Sequence, residues 1–168
     1  SNWDKRIAYC IDSYLRTLPA QVLEVTPDVW DAVMNEMLRT HYVFAHVFLP
    51  ALRLQTGGGR YVAIGGGAAY HPIRGSSLVS IAAAAQAMFT RALHRENTDP
   101  DVEILELVVD GPVRTRDSEA IARPGWITAD EVGAVVAELV AGGRTSDPAT
   151  TASGPLLRMR PHPRKAAR

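Results

Sequence analysis

Short apolar runs alternate with segments of helical periodicity, and this alternation narrows the choice of fold more than any other feature. The apolar runs lie at 6–12, 60–65, 102–110 and 155–161. The helical segments between them lie at 26–52, 76–93 and 127–143. Short apolar strands separated by amphipathic helices are typical of a parallel sheet with helices on both faces. The sequence therefore predicts an α/β fold with three α/β/α layers.

Capping residues indicate where two of these helices begin. Thr26 stands before Pro27 at the start of the first helical segment, which is the usual order of an N-cap and a proline at the first helical position. Thr128 occupies the same place before the last segment, which ends in Gly142 and Gly143. Helix starts at these two threonines are therefore expected.

The charge balance and the cysteine count argue against several kinds of partner and of binding site. The 168 residues contain 18 Lys and Arg against 18 Asp and Glu, so no net charge attracts nucleic acid or an anionic membrane. No apolar run is long enough to span a bilayer. The single cysteine, Cys10, excludes an internal disulfide and a cysteine-based zinc site. We expect a cytoplasmic protein with one domain over 1–160 and a basic, disordered tail over 161–168.

Motifs for nucleotides and metals are incomplete. The glycine triplets at 57–59 and 65–67 lack both the G-x-G-x-x-G spacing of a dinucleotide turn and the G-K-[ST] ending of a phosphate loop. They are interpreted as tight turns beside a strand. His41 and His46 do not have the i, i+4 spacing that would direct both imidazoles to one metal. No metal site is predicted.

The loop after the run at 60–65 carries the residues with acid–base potential. Tyr70 and His71 are adjacent there, and Arg74 follows them. Open α/β sheets bind ligands at the carboxyl ends of their strands, where this loop is expected to lie. Tyr70, His71 and Arg74 are therefore the candidate catalytic residues of a chemistry still to be defined.

Five segments, in order along the chain, resemble the C-terminal half of a short-chain dehydrogenase/reductase. They are EVTPDVWDAVMNEML, GGGRYVAIGGGAAY, SSLVSIAAAAQAMFTRAL, VVDGPVRT and WITADEVGAVVAELVAGG. They are similar to the family's fourth helix, fifth strand, fifth helix, P-G-x-V-x-T turn and following helix. The resemblance implies a Rossmann-like fold whose partial parallel sheet holds the equivalents of strands four to seven.

The resemblance also implies which residues stand at the family's catalytic positions. The family's Asn, Ser, Tyr and Lys are replaced by Met37, Gly66, Val79 and Ala83. A phenol transfers protons near neutral pH only when a neighbouring cation shifts its pKa, and the resemblance indicates that both members of that pair are missing.

The resemblance places two further features outside the catalytic positions. The turn residues Gly111, Val113 and Thr115 match those that face a nicotinamide in the family. The family's cofactor-binding half, with its first three strands, has no counterpart before the strand expected at 6–12.

A sheet that begins at that strand would have an unpaired apolar edge. Such an edge promotes aggregation unless another chain or element covers it. We therefore expect a homodimer or a heteromer that uses the edge of 6–12 and the helices at 26–52 and 76–93. Nucleic acid and membranes are not expected partners.

Three hypotheses about function remain open. The first is a non-catalytic subunit similar to short-chain dehydrogenases that acts by homo- or hetero-oligomerisation and is not an enzyme on its own. The second is the C-terminal component of an NAD(P)-dependent oxidoreductase whose cofactor-binding half is supplied by another chain; no cofactor is expected for the chain alone. The third is a cofactor-independent cyclase, isomerase or lyase in the same cleft.

Overall fold

The computed structural model describes residues 21–143 and 145–161. The helices are α1 (Pro27–Met34), α2 (Thr40–Arg53), α3 (Ser77–Glu96) and α4 (Ala129–Val140), and the π-helical turn Asn35–Arg39 joins α1 to α2. The strands are β1 (Gly59–Gly66), β2 (Val102–Val109), β3 (Val113–Arg114), β4 (Ile127–Thr128), β5 (Thr150–Ser153) and β6 (Leu156–Met159). Single 3₁₀ turns occur at Val22–Glu24, Gly67–Ala69 and Glu119–Ile121.

The main sheet has the strand order β1-β2-β6-β5. The pairings β1–β2 and β2–β6 are parallel, which confirms the predicted parallel sheet and three of its four strands. The remaining predicted strand, at 6–12, lies outside the described residues. The predicted tail beyond Pro161 also lies outside them. A separate two-residue parallel ladder pairs β3 with β4.

Strand β5 was not expected from the sequence, and it pairs antiparallel with β6. It has the sequence Thr-Thr-Ala-Ser and its side chains are mostly exposed, so it shows no apolar alternation. A hairpin joins the two strands through Gly154, whose φ of 61° is readily adopted only by glycine. The sheet is therefore parallel with one antiparallel edge, a correction to the purely parallel arrangement predicted.

Helices cover both faces of the sheet, as predicted. On one face α4 packs over the apolar side chains of β2 and β6, in a cluster formed by Leu105, Leu107, Val109, Ile127, Val135, Leu139, Leu157 and Met159. On the other face α2 packs over the first half of β2, in a cluster formed by Ala45, Leu49, Val102 and Ile104. Full burial of a Leu or Ile side chain contributes about 1.5–3 kcal/mol relative to exposure, so these clusters fix the layers.

A third apolar cluster joins α1 to the beginning of α3. Val33, Leu78 and Ala82 are buried in it, and Met37 packs against them from the π-helical turn. Because alanine has a small side chain, the helices approach closely at Ala82, which is fully buried. The small side chain of Ala82 therefore allows tight packing of these helices within the chain.

The expected helix starts at Thr26 and Thr128 are confirmed. The Thr26 hydroxyl accepts from the Val29 N–H at 3.4 Å. Thr128 and Glu131 form a reciprocal capping box at the start of α4. At the other end of α4, Arg60 of β1 donates to the carbonyls of Leu139 at 2.7 Å and Gly143 at 2.8 Å. A guanidinium at a helix C-terminus satisfies carbonyls that have no partner in the helix.

Candidate functional site

The four positions that the resemblance equates with catalytic residues contain no proton-transfer group. Met37 contacts the apolar cluster between α1 and α3. Val79 is half-buried on α3, and Ala83, one turn later, is buried. Gly66 ends β1, and a Cβ added there would meet no atom within 4 Å. A serine would therefore fit at Gly66, so crowding does not explain the glycine at this position.

Of the two glycines beside Gly66, only Gly67 has a steric reason. A Cβ on Gly67 would collide with the carboxylate of Asp110, whereas a Cβ on Gly65 would make an ordinary contact of 3.7 Å with the Glu106 carboxylate. Gly67 therefore lets the turn after β1 lie directly against Asp110, which follows β2.

One of those acids is the centre of a group of polar side chains that we call the Glu106 cluster: Tyr70, Arg91, Glu106 and Arg158. The Tyr70 hydroxyl donates to Oε1 of Glu106 at 3.0 Å. Nη2 of Arg91 donates to the same hydroxyl at 2.6 Å. The cluster joins the loop after β1 to the last turns of α3 and to strands β2 and β6.

Both guanidinium groups of this cluster lie over the Tyr70 ring. The Arg158 guanidinium lies 4.5 Å from the centre of the Tyr70 ring, and that of Arg91 lies 5.2 Å from it. Arg158 also bonds to Oδ2 of Asp110 at 3.0 Å, and Arg160 lies 3.7 Å from the same oxygen. Side chains of alternating charge therefore extend from Glu106 to the carboxyl ends of β2 and β6.

Burial decides the ionisation of the two central groups. Glu106 is 4% exposed, and this desolvation raises the pKa of its carboxyl, against the lowering effects of Tyr70, Arg91 and Arg158. Burial likewise raises the pKa of the Tyr70 phenol, with Glu106 adding to the rise and Arg91 opposing it. Tyr70 is therefore a hydrogen-bond donor near neutral pH. Its environment does not produce the lowered pKa that a catalytic phenolate requires.

The structure brings only one of the three predicted loop residues into this cluster. Tyr70 is partly buried within it, whereas His71 and Arg74 are exposed side chains of the same loop. A catalytic role for any of the three stays a prediction.

Sequence reasoning missed Arg91, Glu106 and Arg158. One signal for Glu106 was present, because a charged residue interrupts the apolar run of a strand that is buried on both faces. Buried carboxylates need cationic or hydrogen-bonding partners, and that requirement could have prompted a search for them. Nothing in the local sequence around Arg91 or Arg158 identifies them as those partners.

The residues expected to face a nicotinamide make contacts within the chain. A Cβ on Gly111 would lie 2.7 Å from the Pro161 ring. Val113 packs against the apolar cluster under α4. The Thr115 backbone N–H donates to Ser118 Oγ at 2.8 Å, and the two hydroxyls lie 3.2 Å apart. A nicotinamide contact of these three residues stays a prediction. No group of three metal-binding side chains occurs among the described residues.

Comparison with solved structures identifies the fold. The short-chain dehydrogenase of Burkholderia cenocepacia J2315, in complex with NADP, matches with a TM-score of 0.64 and 22% identity over 86% of this chain and 56% of that chain. The short-chain dehydrogenase of Sphingobium yanoikuyae, in complex with NADPH, matches with a TM-score of 0.58 and 17% identity over 77% and 54%. Acetoin dehydrogenase of Enterobacter cloacae matches with a TM-score of 0.64 and 19% identity over 74% and 53%.

These likenesses show an α/β, Rossmann-like fold shared with part of a short-chain dehydrogenase. The chain spans just over half the length of the dehydrogenases it matches. No protein-family model and no curated protein matches the sequence. Within residues 21–143 and 145–161, no helix is long and apolar enough to cross a membrane.

Proposed function

We propose that this chain is a non-catalytic subunit, similar to short-chain dehydrogenases in fold, that acts by assembling with a second protein chain. The observation that supports this most directly is the replacement of proton-transfer groups on α3. Val79 and Ala83 stand where the resemblance expects a Tyr and a Lys, and the buried Ala83 leaves no ammonium to lower the pKa of a phenol. Met37, at the expected Asn, lies among apolar side chains.

The surface of α2 and α3 supports the assembly part of the proposal. Tyr42, Phe44, Val47 and Phe48 of α2 are exposed, and so is Met88 of α3. A groove of 610 Å³ between the two helices and the π-helical turn is lined largely by apolar side chains, including Leu38, Ala85 and Phe89. Exposed apolar patches of this kind mark protein–protein contacts in soluble proteins. A symmetric homodimer through this face is the default assembly.

Charge substitution on this face tests the assembly. We expect Val47→Lys, at a side chain that is 57% exposed, to convert an oligomer of the purified chain into monomers in native mass spectrometry. Ile121→Lys is the matched control because Ile121 is 62% exposed but belongs to the 3₁₀ turn Glu119–Ile121 and not to α2 or α3. An oligomer that survives Val47→Lys, or one that Ile121→Lys disrupts equally, would contradict this interface.

The non-catalytic part is tested separately. The purified chain, with NADH or NADPH and a set of aldehydes and ketones, is expected to oxidise no nucleotide above the rate of the buffer. Nucleotide oxidation that depends on the chain would overturn the proposal, whatever the oligomeric state.

The share of the matched dehydrogenases that this chain covers favours a second candidate function. Because the chain spans about half of proteins solved with NADP or NADPH, it could form one component of an oxidoreductase whose cofactor-binding half is another chain. Native mass spectrometry of the chain purified from its own host separates the two. A mass that includes a second polypeptide and a nicotinamide nucleotide supports this candidate, and a homo-oligomer without nucleotide supports the first.

A further inference from the structure

A small cavity adjoins the Glu106 cluster, and none of its lining residues belongs to the loop of Tyr70. It has a volume of 230 Å³ and lies between α3, β2 and the β5–β6 hairpin. Its walls include Arg91 and His94 of α3, Ile104 and Glu106 of β2, and Pro155 and Leu156 of the hairpin. At about 30 Å³ for each water-sized molecule, the cavity has room for several heavy atoms but not for a drug-sized ligand.

The carboxylate in the cavity wall has an unsatisfied oxygen. Among the described side chains, Oε2 of Glu106 is the buried polar atom without a hydrogen-bond partner. The nearest cation is Nε of Arg91, which lies 3.7 Å away and is too distant for a hydrogen bond. Buried acceptors in native proteins are nearly always paired, so this oxygen calls for a donor from another molecule.

The local charges select the kind of donor. Arg91 and Arg158 already act on the Glu106 carboxyl as positive charges. A further cation would be repelled by these two guanidinium groups, and an anion would be repelled by Glu106 itself. A neutral hydroxyl can donate to Oε2 without either cost. The apolar walls at Ile104, Pro155 and Leu156 favour an alkyl chain attached to that hydroxyl.

Arg91 lies beside both the cavity and the oxygen. Its side chain is 42% exposed, lines the cavity and forms an ion pair with Glu106, with Nε 3.7 Å from Oε2. Because Oε2 is buried, contact with a bound hydroxyl requires this long side chain to be displaced, and its guanidinium also donates to the Tyr70 hydroxyl.

We propose that this cavity is a binding site for a small neutral alcohol, with the hydroxyl donating to Oε2 of Glu106 and the alkyl chain lying against Ile104, Pro155 and Leu156. The site is independent of the non-catalytic role proposed above, because it uses none of the positions or surfaces on which that role depends. It also differs from the carboxyl edge of the sheet, since its lining residues come from α3, the first part of β2 and the β5–β6 hairpin.

The test is a titration of the ¹⁵N-labelled chain with 1-butanol, followed by amide chemical shifts. Diethyl ether is the matched probe because it has the same atomic composition but no hydrogen-bond donor. We expect saturable shifts at Glu106, Leu156 and Arg91 with 1-butanol, at a Kd on the order of 1–10 mM, and at least about tenfold weaker binding of ether. Equal binding of the two probes, or no saturable shift with 1-butanol, would overturn the proposal.

Two variants locate the bound molecule. Glu106→Gln removes the charged acceptor and is expected to weaken 1-butanol binding by about fivefold or more. Glu103→Gln is the matched control, because Glu103 lies on the same strand but pairs with Arg60 outside the cavity. The affinity of this variant for 1-butanol should equal that of the unaltered chain. Unchanged affinity in Glu106→Gln would refute the assigned contact. If that variant does not fold, the comparison of 1-butanol with ether in the unaltered chain decides.

Discussion

The two ends of helix α3 lie in different surroundings, although one continuous helix forms both. At its beginning, Leu78 and Ala82 pack against α1 in an apolar cluster. Near its end, Arg91 reaches a buried carboxylate and a tyrosine hydroxyl. The resemblance places the family's Tyr and Lys at the first end, at Val79 and Ala83, which have no proton-transfer group.

The contrast shows that a Rossmann-like layer can be stabilised in two different ways along one helix. At the apolar end, each contact is replaceable by another of similar volume, because dispersion and burial have no direction. At the polar end, Glu106 requires specific donors, because an unpaired buried carboxylate is strongly unfavourable. The first end should therefore respond to changes in volume, and the second to the loss of single atoms.

The largest expected effect is at the apolar end. Leu78→Ala removes a side chain that is 2% exposed and leaves a cavity between α1 and α3. We expect the free energy of unfolding to fall by about 2–5 kcal/mol, measured by chemical denaturation. Arg95→Ala, at an exposed position on the same helix outside the proposed interface, should change it by no more than about 0.5 kcal/mol. Similar values for both variants would mean that the contact between α1 and α3 adds little to stability.

An intermediate effect is expected from a single atom at the polar end. Tyr70→Phe keeps the ring beside Arg158 but removes the hydroxyl that donates to Oε1 of Glu106. The loss should lower the free energy of unfolding by about 1–3 kcal/mol, because both carboxylate oxygens then lack a hydrogen-bond donor. His71→Ala, at the exposed neighbouring residue, is the control and should be nearly neutral. A neutral Tyr70→Phe would show that the cluster is not energetically coupled.

The smallest effect is a change in pH dependence. Burial raises the pKa of Glu106 above its ordinary value of 4.5, so the native chain holds this proton more tightly than the unfolded chain does. The contribution of Glu106 to stability is therefore present at low pH and declines as pH rises from about 4.5 through the raised pKa.

Glu106→Gln removes this titration. The stability of the variant relative to the unaltered chain should increase with pH across that window and then level off, as measured by thermal unfolding at a series of pH values. Glu103→Gln, a change of the same kind on the same strand outside the cluster, is the control for the substitution itself. A constant difference between Glu106→Gln and the unaltered chain would contradict the raised pKa.

Much of the fold was predictable because its causes are local. The apolar runs at 60–65 and 102–110 became β1 and β2, and Thr26 and Thr128 cap helices, since each depends on residues close in sequence. Strand β5 was missed because an exposed edge strand needs no apolar alternation and is defined by its partner β6. The π-helical turn at Asn35–Arg39 was missed because its residues fit an α-helical pattern equally well.

The candidate site divides in the same way. Tyr70 was found because a polar loop after a strand of an α/β sheet is a recognisable place for a site. Glu106 and its partners were not found, because they come from a strand, a helix and a hairpin that are distant in sequence. The expected partner edge at 6–12 and the assembly through α2 and α3 remain predictions.

The sequence by itself determined the alternation of strands and helices and the helix starts, because these depend on periodicity and capping. Only the tertiary structure decided that Glu106 is buried, that Tyr70 and Arg91 are its partners and that a cavity adjoins it. The physical reason is that a buried charge is satisfied by whichever groups the packing of distant elements brings within hydrogen-bond distance, and no local pattern encodes that distance.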